Sequence, residues 1–80
     1  MEDDDRELLR RLFVAATALS ETAQEAAVAG QSSTLAAPDY ADAAQRLLAA
    51  ARGVAALAEA AAVIARSAGD DARAGPDSSP

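Results

Sequence analysis

Apolar residues between Asp5 and Ala29 recur at alternating steps of four and three, the spacing that places side chains along one side of an α-helix. The main stripe consists of Leu8, Leu12, Ala15, Leu19, Thr22 and Ala26, with Leu9, Phe13, Ala16 and Ala23 beside it. Asp4 with Glu7 forms a capping-box pattern, and Gly30 suits the left-handed residue that commonly ends a helix. The pattern predicts a first helix over about 5–29, with residues 1–5 forming an acidic N-terminal segment.

A second helix is predicted after a short polar connection. Pro38 suits the first turn of a helix because its missing N–H has no partner there. Gly69 is a stop signal, so this helix is expected over about 38–67. Residues 69–80 are expected to be disordered, because so polar a segment buries too little surface to offset its ordering entropy. The fold class is therefore all-α, an Ala-rich, coiled-coil-like antiparallel hairpin of two helices over 6–68 with a disordered C-terminal tail.

The second helix is apolar over most of its circumference. Its polar residues recur every seven positions in one narrow row: Gln45, Arg52, Glu59 and Arg66. One facing helix covers an arc of only about 100° to 140°. We therefore expect a further helix to cover the rest, since small residues allow close approach. The alternative is that alanine simply raises helix propensity and the extra methyl groups stay exposed.

The large apolar residues divide into two predicted surfaces. The partner interface is expected at Tyr40, Leu47, Ala51, Val54, Leu57, Ala61 and Ile64. The intramolecular seam is expected at Leu8, Leu12, Phe13 and Leu19.

The composition leaves little room for catalysis. Of 80 residues 25 are alanine, and the chain has no His, Cys or Trp, which excludes thiol and imidazole chemistry and the common zinc sites. The carboxylates lie mostly at helix starts, where they suit the helix dipole. The net charge of −6 opposes binding to nucleic acid or anionic membranes. We therefore expect a non-enzyme without metal, cofactor, small-molecule or nucleic-acid ligand.

Residues 47–65 are almost long enough to cross a bilayer. Arg52 and Glu59 interrupt them, and each central charge costs about 2.5 to 3.5 kcal/mol on insertion. The acidic N-terminus also lacks the basic start of a secretory signal. We expect a cytoplasmic protein that does not bind membranes.

Three local features each allow two interpretations. The cluster of Arg6, Arg10 and Arg11 either docks an acidic segment or phosphate, or forms local ion pairs such as Arg6 with Glu2 or Asp3. Tyr40 either closes the loop end of the hairpin or anchors a partner. Gly53 marks either close approach of another backbone or a tolerated glycine.

A family resemblance rests on the Gly30 turn, on Asp39-Tyr40 opening the second helix, on residues 52–57, and on the helix end from Val63-Ile64 to Ala68-Gly69-Asp70. Over residues 6–70 the chain resembles the small co-chaperones of type III secretion needle subunits. The resemblance implies a cytoplasmic hairpin that pairs with a larger helical-repeat chaperone and keeps an export subunit soluble. The longer second helix, the higher alanine content and the Pro/Ser tail depart from that family.

A different class of function is equally compatible with the second helix. Two or more hairpins could form a bundle or ring, as in oligomerisation cores of phage packaging adaptors or small plasmid regulators. A needle or rod subunit is a third class, which the charged N-terminus and the polar tail disfavour.

Overall fold

Two long helices make up the protein. The computed structural model describes residues 1–74, and side-chain surroundings over residues 1–70. Helix α1 spans Asp3–Ala29 and helix α2 spans Ala37–Ala74, with no strand in this described part. The helices pack side by side in opposite directions: Gly30 lies beside Ala43, and Leu19 lies on Gly53. The predicted all-α hairpin is confirmed.

Helix α1 begins two residues earlier than predicted and without a capping box. Glu2 is the extended N-cap residue and makes no side-chain capping bond. Its carbonyl accepts the Arg6 N–H at 3.1 Å. Asp4 lies within the helix, and the Glu7 carboxylate binds arginines instead. The predicted cap is wrong, although three aspartates in the first turn still suit the positive end of the helix dipole.

Gly30 ends α1 in a right-handed conformation, with φ −71° and ψ −9°. Its N–H continues the helical pattern by donating to the Ala26 carbonyl at 3.0 Å. The expected left-handed cap is therefore wrong. A short turn follows, in which the Thr34 N–H donates to Ser32 Oγ at 3.3 Å. Helix α2 then starts one residue before Pro38, which lies in the first turn as predicted.

Helix α2 continues through Gly69 to Ala74 rather than ending near Ser67. Ala68 is only 7% exposed, so α2 still packs against the beginning of α1 at this residue. That packing outweighs the roughly 1 kcal/mol by which glycine disfavours a helix relative to alanine. Residues 75–80, the remainder of the predicted tail, lie outside the described residues.

The core is built from alanine. Over the described side chains, the buried apolar residues are Ala26, Ala43, Ala50, Ala61 and Ala68. The bulkier residues between the helices are only partly covered. A single pair of helices thus encloses little surface, and the hairpin has no second layer to bury its outer faces.

Candidate interaction surface

The contact between the helices follows a heptad pattern. Most of the less exposed positions in both helices are spaced alternately by four and three residues. Ala15, Ala27 and Gly53 border this series, and Leu47 belongs to it by its spacing. In α1 the series consists of Asp5, Leu9, Leu12, Ala16, Leu19, Ala23, Ala26 and Gly30. In α2 it consists of Ala43, Leu47, Ala50, Val54, Leu57, Ala61, Ile64 and Ala68. We call these sixteen positions the seam, and their spacing is that of a coiled coil.

Leu19 of the seam packs on Gly53, which borders the seam on α2. A Cβ atom added at Gly53 would lie 2.7 Å from Leu19 Cδ1, so the leucine side chain occupies the space that any side chain at 53 would need. At the loop end, a Cβ at Gly30 would lie 3.8 Å from the Ala43 Cβ, an ordinary contact. Neither interpretation of Gly53 holds as stated: the position is crowded, but by the side chain of Leu19 and not by another backbone.

The predicted partner interface lies mainly inside the hairpin. Ala61 is buried, and Val54, Leu57 and Ile64 are partly buried toward α1. Leu47, at the loop end of the seam, is 37% exposed. Among the α2 positions predicted beyond Tyr40, Ala51 alone lies outside the seam, and it is exposed. The prediction is corrected because α1 itself covers the ridge of large residues on α2.

The predicted intramolecular seam also changes at two of its four positions. Leu12 and Leu19 lie partly buried between the helices. Leu8 and Phe13 do not, with 45% and 62% of their surfaces exposed. Leu9 takes the position expected for Leu8. Consecutive residues of a helix point about 100° apart, so a shift of one position exchanges a seam residue for an outward one.

A second row of apolar residues on α2 lies beside the seam and is turned about 100° from it, because from Ala44 onward each member follows a seam residue by one position. It again follows alternating steps of three and four, and all its members are exposed: Ala41, Ala44, Leu48, Ala51, Ala55, Ala58, Ala62 and Ala65. We call this row the outer stripe. No charged or hydrogen-bonding side chain interrupts it, and Leu48 is 42% exposed. Ala44 of this stripe lines an apolar depression together with Ala27 of α1. Phe13 precedes Ala27 by two heptads, so it lies on the same side of the hairpin.

That depression lies at the loop end of the hairpin. It has a volume of about 340 Å³ and is lined by Ala26, Ala27, Gly30, Gln31, Tyr40, Ala43, Ala44 and Leu47. The Tyr40 hydroxyl donates a hydrogen bond to the Ser32 carbonyl, which ties the first turn of α2 to the connection. Tyr40 therefore closes the loop, the first of its two interpretations, and 38% of its surface stays exposed.

The basic cluster of α1 pairs with Glu7 rather than with the residues before it. Arg10 approaches the Glu7 carboxylate at 2.8 Å and Arg11 at 3.1 Å. These side-chain hydrogen bonds, that of Arg10 first, lower the pKa of Glu7 from 4.5 to about 2. Arg6 forms no ion pair with Glu2 or Asp3, so local pairing is present but the suggested partners were wrong.

The charged side chains of α2 are paired at its first turns but not beside the middle of the outer stripe. Arg46 binds Asp42 at 3.0 Å at the start of α2. Further along, Arg52 and Glu59 are exposed and take part in none of the ion pairs of the described residues. Seven residues separate them, about 10.5 Å along the helix, which is too far for them to bind each other.

Over the residues that the structure describes, no group of three or more Asp and Glu side chains is placed to hold a metal ion. The stretch Ala37–Asp70 of α2 is long and apolar enough by composition to cross a membrane, with 11% of its most apolar window buried in the hairpin. That helix therefore offers its apolar surface outward, to lipid or to protein.

The fold and the seam define a coiled-coil-like helical hairpin with one uncovered apolar helix face. No protein-family model, curated protein or solved structure matches the chain.

Proposed function

We propose that the protein is a non-enzymatic interaction module that packs a helix of another chain against its outer stripe. The outer stripe carries this proposal: eight exposed positions from Ala41 to Ala65 without a polar side chain. At 1.5 Å per residue the stripe is about 36 Å long. Isolated apolar residues on a surface are ordinary, whereas a continuous row of this length indicates a binding surface.

The spacing favours a helix as the bound element. Alternating steps of three and four are the repeat of a helix–helix seam, as α1 and α2 themselves use. Alanine also lets two helix axes approach toward the short end of the usual 8 to 10 Å range. Since the buried apolar residues of the described hairpin are all alanine, a further helix would add burial that the hairpin lacks.

The co-chaperone function implied by the resemblance is a narrower form of this proposal. It places a larger helical-repeat chaperone on the outer stripe and the complex in the cytoplasm. Self-assembly places another copy of the chain there. The two differ in the protein that a probe on the stripe would contact.

Site-specific photocrosslinking tests the proposed function. A photoreactive amino acid replaces Leu48 in the outer stripe or, as the control, its exposed neighbour Ala49, which points about 100° away. In cells that express the protein, we expect a discrete crosslinked protein from position 48 in clear excess over position 49. Equal yields from both positions, or flotation of the purified chain with lipid vesicles as a membrane-inserted protein, would contradict the proposal.

A further inference from the structure

We infer that the helix bound by the outer stripe is α2 of a second copy, lying antiparallel to the first. This inference rests on the proposed function and names the partner. Two observations carry it: the sizes of the residues along the stripe, and the order of the unpaired charges beside it.

The sizes fit a two-fold arrangement. With Ala55 of one copy across from Ala58 of the other, Ala51 falls across from Ala62 and Leu48 across from Ala65. The single large residue of each stripe then meets an alanine, as Leu19 meets the small residue Gly53 within the hairpin. Two-fold symmetry repeats every contact, so no large residue faces another.

The charges fit the same arrangement. Arg52 and Glu59 follow stripe residues Leu48 and Ala55 by four positions, so both lie along the same edge of the stripe. In the antiparallel register, Arg52 of one copy lies within about 3 Å, measured along the axis, of the level of Glu59 of the other. Symmetry forms this pair twice, and it gives both exposed charges an opposite partner that the single hairpin does not supply.

An unrelated partner would need a helix with a small, uncharged face and flanking charges in the opposite order. Helix α2 of a second copy has these properties when it lies antiparallel to the first. The proposal therefore requires nothing beyond the sequence of this chain.

The first experiment measures the mass of the full-length protein by light scattering with size-exclusion chromatography at about 1 to 100 μM, the range of micromolar association. We expect a dimer of twice the 8.0 kDa chain mass. Ala55→Glu places a charge at the centre of the stripe and should leave a monomer. Ala56→Glu makes the same change at the neighbouring exposed residue, off the stripe, and should remain dimeric. Circular dichroism establishes that both variants stay helical.

Charge exchange tests the direction of the helices. Arg52→Glu or Glu59→Arg alone brings like charges together twice, and we expect each to weaken the dimer roughly ten-fold, because exposed pairs contribute tenths of a kcal/mol each. Combining both changes in one chain should restore the affinity. Mixing the two single variants should also restore it, since one chain then carries Glu and the other Arg at both positions, and both pairs join opposite charges.

A monomeric wild-type protein over the whole range would overturn this inference, as would equal dissociation by Ala55→Glu and Ala56→Glu, or no recovery in the double variant. The proposed function is tested separately by crosslinking at Leu48. A monomer that still crosslinks there to a different helical protein would refute the dimer and leave the proposed function standing. A monomer without any crosslink specific to that position would refute both.

Discussion

Replacing Gly53 with alanine tests the contact that fixes the seam. Two opposing effects act at this position. Alanine favours a helix over glycine by about 1 kcal/mol. The new Cβ, however, would lie 2.7 Å from Leu19 Cδ1, so the leucine must change its position. Overpacking of this kind costs about 1 to 3 kcal/mol, and the flexible end of a leucine places the cost toward the lower value.

Gly69→Ala is the matched control. Gly69 lies in the same helix, and a Cβ added there meets no atom within 4 Å beyond the helix itself. We expect Gly69→Ala to stabilise the protein by up to about 1 kcal/mol, somewhat less than mid-helix because the helix ends nearby. Gly53→Ala should be less favourable than the control by about 1 to 2 kcal/mol, and therefore neutral or mildly destabilising.

Urea unfolding followed by circular dichroism, at one fixed protein concentration, measures both effects. Adding Leu19→Ala completes a double-mutant cycle, and in that background Gly53→Ala should become as stabilising as Gly69→Ala. Equal stabilisation by the two glycine substitutions in the wild-type background would refute the close contact and the register built on it. Destabilisation by Gly69→Ala would instead show that the helix ends before that residue.

Three further predictions concern Leu12, Tyr40 and Glu7. Leu12→Ala should lower the free energy of unfolding by about 2 kcal/mol, and Leu8→Ala by well under half of that, in the same urea assay, because only Leu12 lies in the seam. Tyr40→Phe should cost about 0.5 to 1.5 kcal/mol by removing the bond to Ser32, and an unchanged midpoint would contradict the bond. In carbon NMR, Glu7 should titrate near pH 2 rather than 4.5. A lowered folded pKa contributes stability that is present above the unfolded value and lost as pH falls through the folded one, so the loss lies between about 4.5 and 2.

The sequence predicted the two helices well because their signals are local. Apolar periodicity, the polar connection and Pro38 each act within a few residues. The helix ends were predicted less well, because they also depend on packing that local signals do not contain. Gly30 and Gly69 permit a left-handed stop, but both stay in right-handed backbone, as the absence of any positive φ in the described residues shows. Whether α2 continues past Gly69 depends on packing of Ala68 against α1, which is a tertiary contact.

The rotation of α2 about its axis could not be read from periodicity alone. Two uncharged heptad rows run along it, the row from Ala43 to Ala68 and the outer stripe. The larger residues of the first row were predicted to form the partner interface, but α1 covers them. The size of these side chains could have indicated their position. The chain has few large apolar residues, so the hairpin is stabilised most when Leu57 and Ile64 are buried between its own helices.

Because most of the larger apolar residues of α2 lie in the seam, the outer stripe consists of alanine apart from Leu48. A row of alanines buries few methyl groups, each worth about 0.8 kcal/mol, and such a row by itself binds many apolar helices about equally well. Selectivity must then come from what borders the stripe, because opposite charges set orientation and like charges exclude wrong arrangements. Three charged side chains follow a stripe residue by four positions, namely Arg52, Glu59 and Arg66. In the antiparallel register Arg66 comes level with the uncharged Gln45, so only Arg52 and Glu59 meet an opposite charge. We therefore expect them to determine the direction and partner of the bound helix more than its affinity, which is why exchanging the two charges is a sharper test than removing either one.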